Sequence, residues 1–228
     1  MQSLSPSTAT APRPAPWQRL VALADERLSG LFGMRFARFA AVCIVVGYAI
    51  AILSAATVSG SRPGLLVVRA LGWLSWLVAG AGALSAARDL AALDERDGVS
   101  DLVGARGFPL SALGPARTLA ASFRIARLTA VPVLLLALLA LVLARSGAEL
   151  ANRALLCAAV VAYAALLGGV LGVLARWSSA LSPSHGKSVF LALLFVPEVL
   201  QSAWSGIPSV PSSFGRILDA LRVIGGGS

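Results

Sequence analysis

Charged residues are scarce in this sequence. Asp, Glu, Lys and Arg make up 13% of the 228 residues, whereas 57% are hydrophobic and the mean hydropathy is +0.83. The charged share is about half that of an average soluble domain, which excludes an ordinary soluble fold. Several apolar runs reach about 20 residues, the length that a helix needs to cross a bilayer. The composition therefore predicts an all-α polytopic membrane protein.

Residue types that carry out chemistry are equally scarce. Cys43 and Cys157 lie far apart inside apolar runs and are predicted to be small buried hydrophobic residues. The only histidine, His185, lies in a loop, and without clustered thiols neither a zinc site nor a disulfide framework is expected. The segment "HGKS" at 185–188 lacks the leading glycine of a phosphate-binding loop, because residue 181 is Leu. We predict no catalytic, cofactor or metal site on this chain.

The net charge of +9 does not mark a nucleic-acid-binding surface, because the basic residues lie at the ends of apolar runs rather than on one polar domain. Lys187 is the only lysine, and the excess of Arg, Ala, Gly and Leu suggests a GC-rich bacterial source. Thirteen basic residues flank the apolar runs on the side of the N-terminus, against Arg62, Arg145 and Arg153 on the other side. The positive-inside rule therefore predicts a multi-pass protein of the bacterial inner membrane with a cytoplasmic N-terminus.

Five apolar segments are predicted to form spans within a membrane domain at 34–204. The spans are placed at 38–58, 65–87, 118–143, 154–174 and 188–204, and the fifth is only marginally long enough. The count is therefore five to six spans; if 188–224 is instead a pair of re-entrant helices, the C-terminus returns to the inner side.

The segments outside the spans have distinct compositions. Residues 1–16, rich in Ser, Ala and Pro, are predicted to be disordered. Residues 17–33 form a predicted amphipathic helix that lies on the membrane surface or, alternatively, packs on a protein partner. Residues 205–224 contain a second amphipathic helix with Phe214, Ile217, Leu218, Leu221 and Ile224 on one face; it lies on the outer surface or belongs to a re-entrant pair. The Gly-rich end, 225–228, resembles an artificial linker.

Small and charged residues within the spans are candidates for packing and transport. Ala164, Gly168 and Gly172 form a small-residue stripe that favours close helix packing within the bundle over a dimer interface. Glu198 follows Pro197 in the last span and is a candidate for contact with a substrate.

The longest polar connection, 88–117, is predicted to form a cytoplasmic hairpin. Its first part can continue the second span as a helix up to Gly98. A short second helix follows, with Ser100 as its N-cap and Asp101 in its first turn, and Pro109 and Ser111 then form a turn.

The order of these features resembles the ABC-2 type permeases, the membrane subunits of ATP-driven exporters. The resemblance rests on an amphipathic helix, two spans and the residues Glu95, Arg96, Gly98, Asp101, Leu102, Pro109, Ser111 and Arg117. It implies that the hairpin is a coupling helix that contacts an ABC ATPase subunit, which itself holds ATP and Mg²⁺. It also implies pairing with a second copy or a similar permease, within membrane lipids. The family generally has six spans.

The coupling residues expected from this resemblance are Glu95, Arg96, Asp97, Asp101, Leu102, Arg106 and Phe108. The cargo stays open among lipids, polysaccharides, peptides and drug-like molecules. The alternative function is a membrane scaffold or assembly factor that recruits a cytoplasmic partner through the same hairpin. An intramembrane enzyme is disfavoured because the spans contain no histidine, no cluster of cysteines and no paired carboxylates.

Overall fold

The computed structural model describes residues 15–58, 63–144, 147–204 and 206–226. Every regular element within these ranges is helical, which confirms the predicted fold class in its coarse form. The helices are α1 (Pro16–Ser29), α2 (Phe32–Thr57), α3 (Pro63–Ala86), α4 (Leu90–Arg96), α5 (Val99–Ala105), α6 (Leu113–Val142), α7 (Gly147–Leu181), α8 (Gly186–Ala203) and α9 (Val210–Gly226), with a 3-10 turn at Leu110–Ala112. Most of the predicted disordered tail, the end of the predicted linker and Arg13, Arg62 and Arg145 lie outside the described residues.

Four helices are long and apolar enough to cross a membrane, and they give the chain its transmembrane character. They are α2, α3, α6 together with the preceding 3-10 turn, and α7. The fifth predicted span forms α8, an 18-residue helix that is not among these four and contains Lys187 and Glu198. The number of spans beyond four stays a prediction.

Three of the spanning helices extend well beyond their predicted spans, and the first of them, α2, begins at Phe32 rather than at 38. Helix α6 begins at Leu113 rather than at 118, because Pro115 falls in its first turn, where a missing backbone N–H has no cost. Helix α7 covers Gly147–Leu181, whereas the predicted span covers 154–174. Apolar run length locates a membrane crossing, but a helix continues into water until its backbone hydrogen bonds are interrupted.

The centre of the bundle is the α6–α7 pair, against which α3 packs along both helices. Helix α2 packs on α3 and α6, and α8 packs on α7. Only 11% of the apolar window of α2 is buried, against 44% for α3 and α7, so α2 is the peripheral span. We call the end of the bundle where α3 ends and α6 begins the hairpin end, because α4 and α5 connect the two helices there.

Helix α9 packs along the side of the bundle, on α3 and α7. The ring of Phe214 meets Trp76 and Tyr163 edge-on, with centroids 6.4 and 5.5 Å apart, and Leu218 lies beside Gly72. Trp76 and Gly72 are near the middle of α3, so α9 contacts the bundle at mid-length. The predicted apolar face is corrected at Ile217, which is exposed because the helix turns Leu218 and Leu221 inward.

Candidate functional site

The connection between α3 and α6 folds into two short helices and a 3-10 turn. The expectation that the second span continues as a helix up to Gly98 is wrong, because α3 ends at Ala86 and a new helix, α4, starts at Leu90. The side chain of Asp89 caps α4 by accepting a hydrogen bond from the Ala92 N–H at 3.0 Å. This cap stabilises the first turn of a helix that is separate from α3.

Two glycines delimit α5 and shape the tip of the hairpin. Gly98 has φ +67° and Gly107 has φ +75°, the left-handed conformation that other residues rarely adopt. The expected helix break at Gly98 is therefore present, and Asp101 lies in the first turn of α5 as expected. Ser100 is not the N-cap, since the helix already begins at Val99 and Gly98 occupies the capping position.

The hairpin is held to the bundle by one buried acid, Asp94. Its carboxylate accepts hydrogen bonds from Nε and Nη2 of Arg117 on α6, at 2.9 and 2.6 Å. The Nε of Arg27 on α1 donates to the other carboxylate oxygen at 3.3 Å. A buried carboxylate is stable as an anion only when cations or hydrogen-bond donors surround it. Because the partners of Asp94 come from α1 and α6, this one residue of α4 connects the three helices.

A second contact strengthens the joint. Arg27 also forms an ion pair with Asp97 at the end of α4. The hydrogen bond to Asp97 is the largest of the effects that raise the pKa of the Arg27 guanidinium; burial opposes it, and the hydrogen bond to Asp94 adds to the rise. The two acids therefore stabilise the protonated form of Arg27.

A small apolar cluster lies under the hairpin, separate from the main core. It is formed by Leu20 of α1, Val103 of α5, and Leu113 and Ala116 of α6, all buried. Phe108 packs against this cluster from the edge and is half-buried. Ion pairs and apolar contacts thus fix the hairpin in one orientation relative to α1 and α6.

Helix α1 is attached to α6 by further ion pairs. Asp25 accepts from Arg124 at 3.2 Å and from Arg127 at 3.0 Å. Leu20, Ala24 and Leu28, on the predicted apolar face of α1, are buried. The helix therefore packs on the protein with its apolar face and with part of its charged face.

The predicted coupling residues divide into two groups. Asp97 is exposed and ion-paired, whereas Glu95, Arg96, Asp101, Leu102 and Arg106 are exposed and form no ion pair among the described residues. Asp97 is bonded to Arg27, and Phe108 belongs to the apolar cluster, so both contribute to holding the hairpin. The hairpin therefore presents exposed charges of both signs together with three exposed leucines, Leu93, Leu102 and Leu110.

A groove runs between this surface and α1. It has a volume of about 340 Å³ and is lined by Arg19, Leu23, Glu26, Leu102, Arg106 and Phe108, together with neighbouring small residues. Its walls combine apolar side chains with charges of both signs. We call the groove and the exposed hairpin residues the hairpin surface.

Three residues of the site were not predicted from the sequence. The sequence pattern shows Arg27 and Arg176 only as basic residues that flank apolar runs, and Asp94 only as one acid of the 88–117 connection. The buried Nη1 of Arg176 on α7 donates to the carbonyl oxygens of Ala86, at 3.3 Å, and Arg88, at 3.1 Å, and so holds the end of α3 where the hairpin begins. One local pattern was available: Leu90 and Asp94 are four residues apart and share the buried face of α4.

The small-residue stripe and the intramembrane acid lie elsewhere in the bundle. Gly168 and Gly172 face α6 so closely that an added Cβ would lie 2.7 Å from the Ile125 carbonyl oxygen and from Ser122 Cα, respectively. The carbonyl of Ala164 accepts a hydrogen bond from Thr129 on α6 at 2.9 Å. Glu198 accepts a hydrogen bond from the buried hydroxyl of Ser209, which links α8 to the start of α9.

Comparison of the chain with family models, curated proteins and solved structures finds no match. Within the described ranges, no cluster of three or more His, Cys, Asp or Glu residues is arranged to hold a metal ion.

Proposed function

We propose that the chain is the membrane subunit of an ATP-driven exporter of the ABC-2 type, and that the hairpin surface is where an ABC ATPase subunit docks. ATP and Mg²⁺ bind to the ATPase, and this chain converts the movement of its partner into a movement of the spanning helices. The subunit works in the bacterial inner membrane as a pair, with a second copy or with a similar permease.

The observation that supports this proposal most strongly is the rigid attachment of an exposed charged hairpin. A loop that only connects two spans has no need of a buried ion pair, whereas Asp94 is held by arginines from two other helices. A surface that receives force has to keep its orientation when a partner pushes on it. Mixed exposed charges give such a contact specificity and register.

The path for force follows from the same contacts. Arg117 is in the first part of α6, and α6 forms the most extensive helix pair of the bundle with α7. Displacement of α4 by a partner is transmitted through Asp94 to α6 and through Arg27 to α1. The hairpin end faces the cytoplasm in this proposal, as the excess of basic residues requires.

The C-terminal helices fit the re-entrant alternative better than a helix lying flat on the outer surface. Helix α8 leaves the hairpin end, where Gly186 lies against Ala87, and α9 then contacts Trp76 and Gly72 in the middle of α3. Ser209, between the two helices, is bonded to Glu198. We propose that α8 and α9 enter the membrane as a pair, with the polar Glu198–Ser209 contact between them.

Site-specific photo-crosslinking tests the docking surface. A photoreactive amino acid is placed at Leu102 or Arg106 of the full chain in its native membranes, and the crosslinked protein is identified by mass spectrometry. We expect an ABC ATPase from both positions. The same probe at Asn152, an exposed residue at the opposite end of α7, is the control and should capture no ATPase.

A triple substitution, Glu95→Ala, Arg96→Ala and Asp101→Ala, provides the second arm. All three side chains are exposed, so the fold should survive while ATPase co-purification and transport-stimulated ATP hydrolysis are lost. Full association and full stimulation in the triple variant would refute the proposed docking role. Crosslinking of Leu102 only to proteins without an ATPase domain would instead support the scaffold function.

A further inference from the structure

A groove between α2 and α6 opens on the outer wall of the bundle, away from the hairpin surface. It has a volume of about 480 Å³. Its apolar walls are formed by Ala41, Val42, Val45 and Val46 of α2 and by Leu128, Val131, Pro132 and Leu135 of α6. Arg38 and Arg127 are the polar residues that line it.

Both arginines lie at the same end of the groove. The lining residues of α2 run from Arg38 to Val46 and those of α6 from Arg127 to Leu135, in the same direction away from the hairpin end. Eight residues of helix correspond to about 12 Å. The groove is thus an apolar slot with a cationic mouth.

The mouth carries more positive charge than its one acid can neutralise. Asp25 is bonded to Arg124 and Arg127, and Arg38 lies close enough to Arg124 for the two cations to repel each other. Three cations and one anion leave two positive charges uncompensated. Arg38 forms no ion pair within the part of the chain that the structure describes, and Asp25 takes one of the five N–H donors of Arg127.

We propose that this groove binds an anionic phospholipid, with an acyl chain along the apolar slot and the headgroup phosphate between Arg38 and Arg127. Guanidinium groups match the geometry of a phosphate, and basic pockets between spanning helices are sites for anionic headgroups. Helix α2 is the least buried span, so the slot is open to the surrounding lipid. This inference concerns the membrane wall and does not depend on the proposed ATPase contact.

Native mass spectrometry of the full chain in detergent, titrated with phosphatidylglycerol or with phosphatidylcholine of the same acyl chains, tests the site. We expect one tight phosphatidylglycerol molecule per chain and at least tenfold weaker phosphatidylcholine binding. A basic residue near a membrane surface contributes about 1 kcal/mol to binding of anionic lipid. Arg38→Gln and Arg127→Gln should therefore each weaken phosphatidylglycerol binding about fivefold.

Two further variants separate the charge from the slot. Arg69→Gln removes an exposed arginine from α3, away from the groove, and should leave the affinity unchanged. Val42→Trp fills the slot without altering charge, at a side chain that is 61% exposed and so tolerates bulk, and should expel the lipid.

Three results would overturn the assignment. If phosphatidylglycerol and phosphatidylcholine bound equally, the arginines would have no role in recognising the headgroup. If Arg69→Gln weakened phosphatidylglycerol binding as much as Arg38→Gln does, the preference would come from general surface charge and not from this groove. Loss of a chain dimer in Val42→Trp, with lipid binding intact, would show that a second copy occupies the groove.

Discussion

The α6–α7 interface and the attachment of the hairpin both join helices, but they do so with opposite chemistry. Along α6–α7, Gly168 and Gly172 bring the two backbones into direct contact. At the hairpin, Asp94 is held by Arg27 and Arg117 over a small apolar cluster. Helices surrounded by lipid gain no hydrophobic stabilisation when they associate, so van der Waals contact between closely packed helices stabilises the pair. At the water-facing hairpin, directional ion pairs define a single orientation instead.

The largest effect is expected from Asp94→Asn. The variant leaves Arg117 buried without its counter-charge, and the loss of one partner from a buried ion pair costs about 3–5 kcal/mol. The hairpin should detach locally, with faster hydrogen exchange in α4 and α5 while α7 stays protected. Asp101→Asn, at an exposed acid of the neighbouring helix, is the control. Equal exchange in the two variants would show that the ion pair does not hold the hairpin.

A smaller effect is expected from Gly172→Ala. The new Cβ would lie 2.7 Å from Ser122 Cα and 2.9 Å from the Ala121 carbonyl oxygen, so α6 and α7 have to separate. Overpacking of this kind costs about 1–3 kcal/mol, measurable as reduced resistance to unfolding in mixed micelles. Gly80→Ala has open space around the added Cβ and should be neutral or slightly stabilising. A neutral Gly172→Ala would contradict the close-packing account.

The smallest effect is expected from Thr129→Val. It keeps the side-chain shape and removes a hydroxyl that lies within hydrogen-bond distance of the Ala164 carbonyl across the α6–α7 interface and of the Ile125 and Ala126 carbonyls within α6. Hydrogen bonds between spanning helices contribute about 0.6 kcal/mol on average. Thr118→Val is the matched control, because the Thr118 hydroxyl donates to the carbonyl oxygen of Gly114 in the same helix. A loss well above about 2 kcal/mol in the same unfolding assay would mean that polar contacts, rather than packing, hold this interface.

The sequence predicts some parts of this molecule well, for physical reasons that can be named. Apolar run length locates the four spanning helices, because bilayer thickness sets a minimum length. Gly98 marks the turn of the hairpin, since glycine adopts a left-handed backbone conformation without the steric strain that other residues incur. Both inferences depend only on local chemistry.

Other parts depend on partners distant in the chain and were not predicted. Arg27 pairs with acids about 70 residues away, and nothing in the helix around it distinguishes it from Arg19. The break after Ala86 is held by Arg176, 88 to 90 residues away in sequence. Which charged residues pair over such sequence distances depends on how the helices pack. The charges of a single helix therefore do not identify the partners.

The joint at Asp94 means that the hairpin is not a portable module. A chimaera that receives only residues 90–109 would carry the buried carboxylate but neither Arg27 nor Arg117, its two cationic partners. Transfer of the hairpin to another membrane protein therefore requires three separate segments to be exchanged together. For the same reason, a substitution at any one of these three positions changes the charge balance at the other two.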